Sequence, residues 1–138
     1  MPATPATDHA IHTGVRAGAA IIMCSPCCNK QLRPQLLSPH PLRPILKHGV
    51  HLGQEAEMLT DGLRALMLDA CGYETQVFEF VSLEHTNKNK MILAVKRAGP
   101  ARADELWRQI DEIKSFYGIR EHCLETLLKS RAGVPDPA

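Results

Sequence analysis

Apolar residues recur along this chain in two rhythms. Leu52, Ala56, Leu59, Leu63, Leu66 and Ala70 fall three or four positions apart, with Glu55, Glu57, Asp61 and Arg64 on other faces. That spacing predicts a long amphipathic helix over 52–70, with Gly72 placed to end it. Ala103, Leu106, Ile110, Ile113 and Tyr117 make a second stripe, opened by Pro100 and broken by Gly118; Ile119 to Leu128 makes a third, shorter one. Near the start, Thr7 can cap a short helix from Asp8, with Ile11 and Val15 on one face and Gly18 as its stop.

The other rhythm is that of strands. Ala20 to Cys24 is a short, unbroken apolar run, which suits a central strand of a parallel sheet, buried on both faces. Thr75 to Val81 is rich in β-formers, Ser82 to Asn89 is polar, and Met91 to Val95 is apolar throughout. The three stretches predict a long hairpin whose second strand is the more deeply buried. Residues 29–51 follow neither rhythm. Pro34, Pro39, Pro41 and Pro44, with His40, His48 and His51 among them, read as a long irregular loop. The expected organisation is one α/β domain over 7–130, between a flexible N-terminus, 1–6, and a flexible tail, 131–138.

Composition narrows the possibilities. The chain has 138 residues, 16 basic and 15 acidic, for a net charge of +1. Such a balance offers no charge-driven case for nucleic acid or an anionic membrane surface. No apolar run approaches the roughly 18 residues of a spanning helix, and no signal peptide is expected. Five cysteines, three of them within five positions, do not form the pattern of a secreted disulfide framework, so a reducing, cytoplasmic setting is the simplest expectation.

The cysteine cluster is the first candidate for chemistry. Cys24, Cys27 and Cys28 with His40, or with His48 or His51, have ligand types and a Cys-x-x-Cys spacing that suit zinc. Against this, no second Cys-x-x-Cys occurs, and Cys24 falls in the expected strand, where a small core residue is the default. Cys27 and Cys28 follow a strand end, where α/β proteins collect functional groups; they can line a pocket, react as thiolates, or simply pack a tight turn. Lys30 and Arg33 can meet a phosphate or carboxylate, or remain solvated. Glu84 and His85 can form an acid–base pair, although adjacent residues on an extended chain point opposite ways.

Taken in order, these segments resemble the class I S-adenosylmethionine-dependent methyltransferases whose acceptor side carries a Pro-Cys-Cys-His motif. Ala6-Thr7-Asp8 is similar to the Ala-Thr-Asp that follows the fourth strand of that family, and Pro26-Cys27-Cys28-Asn29-Lys30 to the Pro-Cys-Cys-His-Lys after the fifth. Glu79-Phe80-Val81-Ser82, Glu84-His85-Thr86 and Lys88-Asn89 resemble the join between the last two strands, and Phe116-Tyr117-Gly118-Ile119 the C-terminal turn. The resemblance runs from Ala6 to about Leu128. It implies a partial Rossmann-like sheet of three strands in the order fifth, seventh, sixth, the last two an antiparallel hairpin, with helices on both faces.

It further implies S-adenosylmethionine as cofactor, Cys27, Cys28 and Asn29 as candidates for the chemistry, and Asp8, Lys30, Arg33, Glu84, His85 and Asn89 as candidates for acceptor binding. Two departures shape the expectation. Asn29 stands where the family has His, and an amide cannot relay a proton as imidazole does. No two glycines lie closer than four positions, so the Gly-rich turn of the cofactor pocket is missing. Alone, then, the chain is expected to bind no cofactor and to be inactive. Its uncovered strand edge predicts a homodimer, a higher oligomer, or a second chain completing the sheet. The alternatives are a non-catalytic binding remnant and a small zinc-binding module.

Overall fold

The longest apolar stripe forms the longest helix. In the computed structural model, which describes residues 6–26, 31–37, 41–81, 88–99 and 102–130, helix α3 runs Gly49–Ala70. Before it come α1 (Ala6–Arg16), strand β1 (Ile21–Cys24) and a short α2 (Arg43–Leu46). After it come strands β2 (Tyr73–Val81) and β3 (Lys88–Lys96), then α4 (Ala103–Tyr117) and α5 (Cys123–Ser130). Two glycines make the sharp joins. Gly72, at φ 96°, turns α3 directly into β2, and Gly118, at φ 72°, ends α4 in a left-handed cap whose next amide, Ile119, bonds back to Lys114.

The sheet order is β1-β3-β2. β3 runs antiparallel to both neighbours, so β1 and β2 point the same way. The register places Ile22 opposite Ala94 and Cys24 opposite Ile92 on one face; Ile21 faces Val95 and Met23 faces Leu93 on the other. The first face is the core face. Ile22, Ile92, Ala94 and Tyr73 are buried there beneath α1 and α3, with α4 and α5 packed outside those helices. The Tyr73 hydroxyl donates to the Ala19 carbonyl at 2.6 Å and closes one corner of this core.

Three expectations change. β1 lies at a sheet edge rather than in a parallel centre, because its hydrogen-bonded neighbour is the returning strand of the hairpin. It is buried on one face only, and the described helices cover that face, not both. The segment expected as an irregular loop holds structure: a 3₁₀ turn at Gln35–Leu37, α2, and the buried side chains Leu32, Leu36 and Leu46. Leucines four apart let a proline-rich stretch bury one side without forming a long helix.

Candidate functional site

The motif residues named from the sequence border two strand ends in chain order. The ladder sets the end of β2, Val81, opposite the start of β3, Lys88, and the end of β1, Cys24, opposite Ile92, four residues further along β3; Ser25 Oγ donates to the Lys90 carbonyl at 3.2 Å. Cys27, Cys28, Asn29 and Lys30 follow the end of β1 in sequence, and Glu84 and His85 lie between β2 and β3. All six fall outside the described residues, as does His40. Asn89 stands in β3 opposite Phe80.

Beside the end of β1 runs a buried chain of charges. Asp8 on α1 accepts two hydrogen bonds from Arg64 on α3, from Nε at 2.7 Å and Nη2 at 3.0 Å. Arg64 Nη1 also donates to Asp61 Oδ1 at 3.0 Å. Asp61 Oδ2 lies 3.4 Å from Lys90 Nζ, which in turn lies 3.6 Å from Glu57. Asp8 and Arg64 are each 1% exposed. The line passes from a sealed pair, through Asp61, to Lys90 and the exposed Glu57.

Electrostatics follow from that gradient. Burial pushes the Asp61 carboxyl above its usual range, and the charges of Arg64 and Lys90 only partly restore it. Burial also opposes the charge on Arg64, but the Asp8 hydrogen bonds and charge outweigh it and hold the guanidinium above its ordinary value. A buried charge that is paired on both sides stays put; removing one partner leaves the other stranded.

Of the expected acceptor-binding residues, Asp8 has both carboxylate oxygens engaged by Arg64 and is closed to solvent. Arg33 is exposed, well away from that pair in sequence, with Nη2 donating to the Gly49 carbonyl at 3.3 Å. Cys24 is half-buried and packs against the core from β1. Among the described residues no group of three or more His, Cys, Asp or Glu side chains is placed to hold a metal, and three of the expected zinc ligands lie outside them.

The sequence pattern puts Asp61 and Arg64 on faces of their helix other than the apolar stripe. The structure buries both: Asp8 of α1 binds Arg64, and α5 packs on both α1 and α3. The available signal was Asp61-x-x-Arg64, an ion-pair spacing on one helix face, set between two apolar positions. Lys90 and Glu57 join the site only through the fold.

Comparison with protein-family models, with curated proteins and with solved structures finds no match to this chain. The fold is mixed α/β: five helices and a three-stranded antiparallel sheet among the described residues. None of the described helices is long and apolar enough to cross a membrane.

Proposed function

We propose that this chain is the acceptor-side part of a methyltransferase-like fold that uses S-adenosylmethionine, inactive by itself and completed by residues it does not carry. One observation supports this reading above the others. The strand order β1-β3-β2, with the central strand opposed to both neighbours, is the arrangement implied for the fifth, seventh and sixth strands of that fold. The end of β1, where Ser25 bonds to Lys90 of the Asp61–Lys90 pair, adds to it, since α/β folds collect their chemistry at strand ends. In this reading Cys27, Cys28 and Asn29 are the candidates for the chemistry, and the cofactor belongs to the completing half.

The open flank of β1 and the uncovered sheet face are the surfaces that a second copy or second chain covers in this reading. Titration calorimetry of the isolated chain with S-adenosylmethionine tests the first part, with no saturable heat expected; saturable binding would overturn it. Sedimentation at micromolar concentration tests the second, and a monomer with one cooperative melt counts against it.

The engagement of both Asp8 oxygens by Arg64 favours a second reading, a binding remnant of the same fold that has lost catalysis. Labelled methyl transfer that depends on this chain, measured with the completing partner present, separates the two. Transfer supports the first, and its absence supports the remnant.

A further inference from the structure

His122 is 1% exposed and occupies the position just before α5. Its Nδ1 accepts the backbone N–H of Leu124 at 3.2 Å, so the imidazole serves as the N-cap of that helix. Its Nε2 lies 3.3 Å from the Thr60 carbonyl oxygen on α3. An amide only donates and a carbonyl only accepts, so the two contacts together define a neutral ring with its proton on Nε2.

The neighbouring amides at this helix start are met from a single segment. Gln31 Oε1 accepts from Cys123 N–H at 2.7 Å, and Gln35 Oε1 accepts from Arg120 and Glu121 at 2.6 Å and 2.9 Å. Gln35 Nε2 donates to the Glu121 carbonyl at 2.9 Å, and Leu32 and Leu36 are fully buried. Residues 31–37, which directly follow Pro26–Lys30 in the chain, are therefore fastened to the entry of α5.

We infer that His122 makes this fastening proton-sensitive: the neutral ring caps α5 and secures residues 31–37, and the protonated ring releases both. Protonation turns Nδ1 into a donor facing a donor and sets a positive charge at the positive end of a helix dipole. Asp8 of α1 and Glu125 of α5 favour the charged ring, and Arg64 of α3 opposes it. Lys114 of α4 holds Glu125, while residues 31–37 present the neutral amides of Gln31 and Gln35. Burial outweighs the two carboxylates and keeps the ring below its ordinary pKa. A released ring thus takes up a proton first as pH falls below about 6.5, so the docked state is fully favoured above that pH and loses ground below it. The device acts on the segment that follows Cys27 and Cys28 in the chain, independently of the proposed function.

Amide hydrogen exchange on the full chain tests this, read as protection factors at about pH 7.5 and about pH 5, with nitrogen spectra following the His122 ring. Protection at Leu124 and Leu36 should fall about fivefold or more at the lower pH, the size of a lost helix cap, while the β3 amides keep theirs. His122→Asn offers a cap that does not titrate and should hold its protection at both pH values. Gln35→Leu cuts the fastening alone: Leu36 should exchange fast at both pH values while Leu124 still responds. The inference is overturned if the wild-type ring titrates with no loss at Leu124, or if His122→Asn loses protection as the wild type does. A pH response of Leu36 that survives Gln35→Leu overturns the fastening.

Discussion

The two faces of one sheet are built from the same kind of residue and end in opposite environments. Ile22, Ile92 and Ala94 lie under α1 and α3, sealed from water. Their strand neighbours Ile21, Met23 and Val95 point the other way and are 44–61% exposed, with Phe78 and Phe80 at 40% beside them. A half-solvated antiparallel sheet normally alternates apolar with polar positions; strands apolar on both faces belong to sheets covered on both. The pattern therefore describes a sheet with two covers, and the described residues supply one. The apolar strands predict burial on both faces, and the described residues cover one of them.

The contrast can be broken from the covered side first. Replacing Arg64 with Ala removes the buried counter-charge of Asp8, leaves Asp61 to Lys90 alone, and should cost about 3–5 kcal/mol in a urea melt. Ile92→Ala removes a fully buried side chain from the core face and should cost about 2–5 kcal/mol by the same measurement. Gly118→Ala puts a Cβ into a left-handed cap and should cost about 1–2 kcal/mol.

A pH measurement sharpens the covered side further. Burial alone would raise the Glu125 carboxyl, but Lys114 and Lys129 hold it below its usual range. A depressed carboxyl contributes stability that is present above about pH 4.5 and lost as pH falls through its folded value. Glu125→Gln should therefore flatten the acid side of the stability profile in that window. On the uncovered face, Phe78→Thr should change the melt of the isolated chain by no more than about 0.5 kcal/mol. Its larger effect should appear in sedimentation, as weaker association. A loss of several kcal/mol at Phe78 would mean that the face is covered after all.

The regular elements were legible because their periods are long and clean. Leu52 to Ala70, the Ala103–Tyr117 stripe and the polar break between two strands each carry a signal that neighbours reinforce. The 3₁₀ turn and α2 were not, since three- and four-residue elements hold no period and prolines mask them. The pairs Leu32/Leu36 and Leu42/Leu46 were the visible trace. The candidate site divides the same way. Motif residues could be named by type and order, but Asp8 and Arg64 are 56 positions apart, and nothing local says that they meet. His122 is illegible for a related reason: a capping histidine depends on a helix start that the tertiary contacts of Gln31 and Gln35 define.

The short edge strand also decides what kind of assembly is open to the chain. β1 has no partner on its outer side among the described residues, so its backbone offers a ladder of only four residues. Two copies joined by antiparallel β1–β1 contact share a two-fold axis and form a six-stranded sheet whose outer edges are both β2. That symmetry closes after one step. A contact of β1 with the β2 edge of another copy has no such axis and repeats head to tail, as an open fibre unless its rotation closes a ring. Four residues at one margin thus separate a closed pair from head-to-tail growth.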